Sequence, residues 1–302
     1  MDSLRERLAR GDVLVGDGAW GTMLMARGLA PGRPPESLVL ERPEAVREVA
    51  LLYLDAGAEL LTTDTFGGSP LCLGSWGLGE RAEEINARAV SIAREAAAGR
   101  ALVQASVGPT GRILAPLGDT EPAEVGAAFA RQIGAQARAG ADAICIETMT
   151  DLAEMLLAVR AAHEVAPDLP VIATMTFDPT PRGFFTMMGV SVEQAARALT
   201  AAGVDVVGSN CGNGIDRMVA IARELRRWTS LPLAIRSNAG LPESRGAEVV
   251  YPETPELMAE RIPALLDAGV SIVGGCCGTT PDHVRAFRRA VDARKLTSCP
   301  PP

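Results

Sequence analysis

Hydrophobic positions along this chain follow a repeated cadence: an amphipathic stretch, a glycine, then a short apolar run that stops at small or polar residues. The stretches have helical spacing, and the runs are nearly continuous, as in strands buried on both faces. A glycine between them suits the left-handed turn that ends a helix. It recurs at Gly57, Gly99, Gly140, Gly203 and Gly269, and Pro170 and Pro232 mark the two remaining junctions. Eight strands are predicted, at about Val13–Gly16, Ala58–Thr63, Ala101–Val107, Asp142–Glu147, Pro170–Thr176, Asp205–Ser209, Pro232–Ser237 and Val270–Gly274. Helices are predicted at about Pro43–Ala56, Gly79–Ala98, Pro122–Ala139, Asp151–Ala166, Val192–Ala202, Ile215–Trp228, Pro255–Asp267 and Pro281–Ala293, with a short one, about Ser3–Ala9, ahead of the first strand.

Alternating β–α units with apolar strands imply a parallel sheet covered by helices. The fold class expected is α/β, a single-domain (β/α)8 TIM barrel over residues 1–302 with a short Pro-rich tail from about residue 294. A doubly wound open sheet is the alternative, but no G-x-G-x-x-G fingerprint follows the first strand and there is no P-loop. Connections from helix to strand are short, whereas those after strands two, three, five and seven are long and rich in Gly, Pro, Phe and Met. In a barrel, loops at the C-terminal ends of the strands build the active site.

Composition narrows the function classes. With 47% hydrophobic and 22% charged residues the chain is close to an ordinary globular protein, and a net charge of -8 leaves no basic footprint for nucleic acid. No apolar run approaches the roughly 20 residues of a membrane-crossing helix, and the charged opening Met1-Asp2-Ser3-Leu4-Arg5-Glu6-Arg7 is unlike a secretory signal. A cytoplasmic protein is expected. Six cysteines are too few for a disulfide scaffold of this size. Cys145 reads as a buried small hydrophobe, Cys72 and Cys299 show no partner, and His163 and His283 read as solvated or locally bonded helix residues.

Three cysteines remain. Adjacent strand residues point to opposite faces, so Cys276 and Cys277 can serve one site only where the backbone turns, which the fence of Gly274, Gly275 and Gly278 permits. Cys211 holds the matching place in Gly208-Ser209-Asn210-Cys211-Gly212. Strands six and eight are two staves apart, near enough for three thiolates to bind one zinc ion with its fourth position open. A thiol entering that position would be deprotonated at neutral pH, and alkyl transfer to its sulfur is the natural reaction. An inert turn and a vicinal disulfide are the competing readings of the pair, and the second leaves Cys211 unexplained.

The segments Asp17-Gly18-Ala19-Trp20-Gly21-Thr22, Gly108-Pro109-Thr110-Gly111, Glu147-Thr148-Met149-Thr150-Asp151, Asn210-Cys211-Gly212, Asn238-Ala239-Gly240-Leu241-Pro242 and Gly274-Gly275-Cys276-Cys277-Gly278-Thr279-Thr280-Pro281 resemble the homocysteine S-methyltransferase family over nearly the whole chain. They look closest to the N-terminal homocysteine-binding module of cobalamin-dependent methionine synthases. The resemblance implies a barrel that binds zinc through Cys211, Cys276 and Cys277 and methylates homocysteine to methionine. It also implies that Asp17 and Glu147 receive the homocysteine ammonium, with backbone N–H groups near Gly18 beside the ligand.

Three features depart from that pattern. Asp64 stands where the family usually has Asn and adds a negative charge near the site, Trp20 occupies a variable place, and Phe184-Phe185-Thr186-Met187-Met188 is apolar for a loop. That loop suits core or lid packing, or a surface that docks a donor. There is no D-x-H-x-x-G cobalamin motif and no length beyond the barrel for folate or cobalamin domains, so the expected donor is a corrinoid on a separate protein. An aromatic content of 4% disfavours the aromatic walls of a betaine-type enzyme. A sulfonium or betaine-type donor is the alternative, and a non-catalytic homocysteine-binding subunit of a multiprotein methyltransferase is the alternative of a different class.

Overall fold

All eight predicted strands form: β1 (Leu14–Val15), β2 (Leu60–Thr62), β3 (Leu102–Val107), β4 (Ala143–Met149), β5 (Val171–Met175), β6 (Val206–Asn210), β7 (Leu233–Ser237) and β8 (Val270–Gly275). This computed structural model describes residues 2–30, 32–245 and 248–298; Pro31, Cys299 and the rest of the Pro-rich tail lie outside the described residues. Strands adjacent in sequence pair in parallel from β2 through β8, and β8 pairs with β1 through Leu14↔Ile272 and Val15↔Val273. The ring closes between β1 and β2: Glu59 N–H donates to Val15 O at 2.7 Å and Asp17 N–H to Leu60 O at 3.2 Å.

Inside the ring, Leu14, Leu60, Leu102, Ile172, Val206 and Ile272 pack around Leu4, which comes from the short helix Leu4–Ala9 and plugs the N-terminal end. A capping box fixes that helix: the Ser3 hydroxyl accepts from Glu6 N–H, and the Glu6 carboxylate accepts from Ser3 N–H at 2.8 Å. The N-terminal rim has a second device, an acid that precedes one strand and accepts from its neighbour's backbone. Asp142 takes Val103 N–H at 2.7 Å, Asp205 takes Val171 N–H at 2.8 Å, and Glu59 takes Val15 N–H at 3.2 Å.

The surrounding helices include Pro43–Asp55, Ala82–Ala97, Pro122–Arg138, Leu152–Val165, Val192–Ala201 and Ile215–Arg226, each within a few residues of its prediction. All five cap glycines have positive φ, from 76° at Gly99 to 99° at Gly57. Two predictions need correction. The helix expected over Pro255–Asp267 is two, Pro255–Ala259 and Ile262–Asp267, because Pro263 lacks the N–H that a continuous helix would use. The last helix runs over Pro281–Ser298, past Ala293, since no breaker occurs before Pro300. At the C-terminal rim two antiparallel hairpins were not anticipated, Asp178–Thr180 with Gly183–Phe185 after β5 and Glu243–Arg245 with Glu248–Val250 after β7.

Candidate metal centre and substrate pocket

Cys211 follows β6 directly, and Cys276 and Cys277 follow β8. One sulfur from each of the three lies within 4.8 Å of the others, and Cys211 Sγ is 4.0 Å from Cys277 Sγ. Two sulfurs on one tetrahedral zinc at about 2.3 Å stand roughly 3.8 Å apart, so the separation fits a shared ion. Cys211 is held at φ 60°, a left-handed conformation that a side chain resists by about 1–2 kcal/mol. Its N–H donates to Arg236 O at 3.0 Å, and its carbonyl accepts from Asn213 N–H at 2.8 Å. Cys276 N–H donates to Ser237 O at 2.8 Å, and Ala239 N–H donates to Cys277 O at 3.0 Å, which anchors the turn to β7 and its loop.

The glycines beside the pair have a specific cause. A Cβ on Gly275 would stand 2.1 Å from Thr279 Oγ1, and one on Gly278 would stand 2.1 Å from the Tyr251 ring. Electrostatically the sulfurs behave as one unit. Thiol hydrogen bonds from Cys276 and Cys277 pull Cys211 down, and the same bonds push Cys276 and Cys277 up. The Asn238 amide also bonds the Cys211 sulfur, and its Oδ1 is buried without a protein partner. Soft thiolates beside a buried, unsatisfied oxygen suit a cation such as zinc.

Asp17 lies at the end of β1 and is 1% exposed. It is not a self-bonded turn: its carboxylate accepts from Thr62 N–H at 2.6 Å, Thr62 Oγ1 at 2.7 Å and Trp20 Nε1 at 2.9 Å. Trp20 therefore anchors Asp17. Gly18 is required by packing, since a Cβ there would meet Thr279 Oγ1 at 2.7 Å and the Tyr53 ring at 3.0 Å. Thr279 also accepts from Ala19 N–H at 3.1 Å and donates to Cys276 O at 2.7 Å, linking the first motif to the last.

Glu147, near the end of β4, accepts from Ser106 Oγ at 2.5 Å and from Arg236 Nη1 at 3.5 Å. Arg236 also donates to Gln104 Oε1 at 2.5 Å, and Gln104 Nε2 donates to Thr62 Oγ1 at 2.8 Å, so one chain of bonds runs from Glu147 to Asp17. Burial pushes both carboxyls up, and the Arg236 charge pulls both back. Sequence reasoning missed Arg236. The available signal was an arginine inside the apolar run Leu233-Ala234-Ile235-Arg236-Ser237.

The other singled-out residues take varied places. Thr110 N–H and Oγ1 donate to Glu154 Oε1 at 2.8 and 2.6 Å, tying the loop after β3 to the Leu152–Val165 helix that follows β4. Asp64 is buried, and burial with the neighbouring Glu36 acid pushes its carboxyl well up, which works against the expected extra charge. In the apolar loop Phe184 packs on the core, as one expected use requires, while Met187 is 80% exposed. Cys145 is buried inside the barrel, His283 accepts from Thr280 N–H at 3.1 Å, and His163 is exposed.

The sequence model described as homocysteine S-methyltransferase matches residues 14–291. Methionine synthase of Mycobacterium tuberculosis is 35% identical over 300 residues, covering 92% of this chain and 24% of that protein. The Mycobacterium leprae methionine synthase is 35% identical over 309 residues, covering 95% and 25%. The chain thus spans about a quarter of the length of these relatives. Among solved structures, the metallated form of the homocysteine methyltransferase MmuM from Escherichia coli superposes with a TM-score of 0.81 at 26% identity, covering 95% of this chain and 99% of that one. With a match across almost the entire barrel and relatives this similar, the chain belongs to the homocysteine S-methyltransferase family.

Proposed function

We propose that this chain holds one zinc ion on Cys211, Cys276 and Cys277 and methylates homocysteine to methionine, with the methyl group delivered by a separate corrinoid protein in the cytoplasm. The observation that carries the reading is the triad of sulfurs within 4.8 Å at the mouth of a barrel of this family. Bound there, zinc supplies Lewis acidity that favours the thiolate form of an incoming thiol at neutral pH. The chain's own residues arrange the rest. Asp17 and Glu147 receive the substrate ammonium, and backbone N–H groups near Gly18 lie close to the ligand. The substrate sulfur supplies the electron pair of the new S–C bond, and the pair of the broken bond leaves with the donor.

A macromolecular donor is supported by the rim around the sulfurs. Met25, Phe66, Ile113, Leu117, Met187 and Val249, all on segments between a barrel strand and the barrel helix that follows it, are exposed large hydrophobic side chains of the kind that pack against a partner. Among the described residues no helix is long and apolar enough to cross a membrane. The test is metal analysis of the purified protein, then methyl transfer to homocysteine from methylcobalamin, methyl-folate, betaine and S-methylmethionine in parallel. Stoichiometric zinc and homocysteine-dependent demethylation of methylcobalamin are expected. A protein that keeps no zinc, or a Cys276→Ser variant of undiminished activity, refutes the reading.

A further inference from the structure

Arg236 is the only arginine among the buried side chains of the described residues, 3% exposed in the barrel wall between the two carboxylates. Burying a guanidinium is costly unless it is paired, so its position calls for a reason. Room for it is built into β8: a Cβ on Gly274, the residue paired with Arg236, would meet Arg236 Cγ at 3.4 Å and Asp17 O at 3.1 Å. Its head group reaches Gln104 and Glu147, while Nε has no partner.

The acceptors around it can be counted. An ionised carboxylate has about four lone-pair directions. Asp17 uses three, for Trp20 and twice for Thr62, and Glu147 uses two, for Ser106 and Arg236. About three directions remain between them, which matches the three donors of an ammonium. With both acids ionised, the two carboxylates and one guanidinium leave one negative charge in excess, which a single ammonium neutralises.

We propose that Arg236 is a specificity-determining positioning residue: by holding Glu147 and offsetting one of the two acids, it fits the pocket to a thiol that carries one ammonium group. This inference rests on the reading of Asp17 and Glu147 as the ammonium site. A purely structural counterion would affect every ligand alike, whereas this role affects only ligands with the cationic group.

The test is calorimetric binding to zinc-loaded protein of homocysteine and of 4-mercaptobutanoate, the same thiol acid without its amino group. The quantity read is the ratio of the two dissociation constants. In Arg236→Gln the preference for homocysteine should fall roughly ten- to a hundredfold, with 4-mercaptobutanoate affinity within about twofold of the parent. Arg236→Lys, which keeps the charge but not the two-pronged geometry, should lose preference only several-fold at an unchanged melting temperature. Equal weakening of both ligands, or an unchanged ratio, in Arg236→Gln overturns the proposal. If that variant does not fold, an unchanged ratio in Arg236→Lys overturns it. Equal binding of both thiols by the unaltered protein overturns the ammonium site itself and this inference with it; weak binding of both, with zinc retained, points to another acceptor thiol and does the same.

Discussion

At the N-terminal rim of the barrel, Asp142 and Asp205 aim their carboxylates at the N–H groups of neighbouring strands and remain partly open to water. At the C-terminal rim, Asp17 and Glu147 are bonded mainly to side chains inside the wall, Asp17 taking Thr62 N–H as well, and are nearly sealed from water. The same residue types thus do different work. Below, a carboxylate completes a backbone donor, and its arginine partner, such as Arg5 on Asp205 at 2.5 Å, lies on the surface. Above, the partner is the buried Arg236, and Cys211 and Thr148 have positive φ at 60° and 62°. Two of the three left-handed non-glycine residues among the described residues, and the buried arginine, stand at the rim where a barrel of this kind builds its site, while the third, Ala98, ends a helix at the opposite rim.

The sharpest way to break this division is at the sulfurs. Cys276→Ser should lower methyl transfer about a thousandfold through lost metal, yet leave urea unfolding of the metal-free protein within about 1 kcal/mol of the parent. A large loss of barrel stability would show that the upper rim also holds the fold. The converse change is Leu4→Ala beneath the barrel, expected to cost about 2–5 kcal/mol of stability while homocysteine affinity is preserved in the folded protein. Calorimetry and denaturation on the same sample read both. Asp205→Ala should cost about 1–3 kcal/mol, because Val171 N–H loses its acceptor, again without change in affinity.

A pH experiment sharpens the comparison further. Native Asp64, pushed well above its ordinary 3.8 by burial and Glu36, retains a proton that the unfolded chain releases near that value. Stability should therefore decline as pH rises from about 4 toward the raised native value. Asp64→Asn should flatten the difference between unfolding midpoints at pH 5 and pH 7.5. Smallest of all, Ala98→Gly relieves a left-handed alanine at φ 47° at the end of the Ala82–Ala97 helix and should add up to about 1 kcal/mol, with no effect on ligand binding.

How far the sequence could be read follows the same division. The strands and cap glycines were legible because they follow local rules: apolar runs form walls, and Gly57 or Gly269 supplies a backbone angle that others avoid. The cysteines were legible because adjacent thiols among glycines have no use in packing. Arg236 was hidden because its partners Gln104 and Glu147 lie 132 and 89 residues away, and only the closed ring brings them together. Asp64 stood out in the sequence, but its pairing with Glu36 was hidden in the same way, because the two acids lie in separate segments. The hairpin of Asp178–Phe185 lacks the strict alternation that marks a strand.

The Thr279 hydroxyl, which bonds Ala19 N–H on one side and Cys276 O on the other, joins the earliest motif of the chain to the latest. A ribosome releases Asp17 long before Cys277, so during synthesis the nascent polypeptide holds one pole of its pocket and waits for the other. The three sulfurs can therefore meet only after the last barrel strand has emerged, and a translation product terminated before Cys276 would carry Cys211 without its two neighbours.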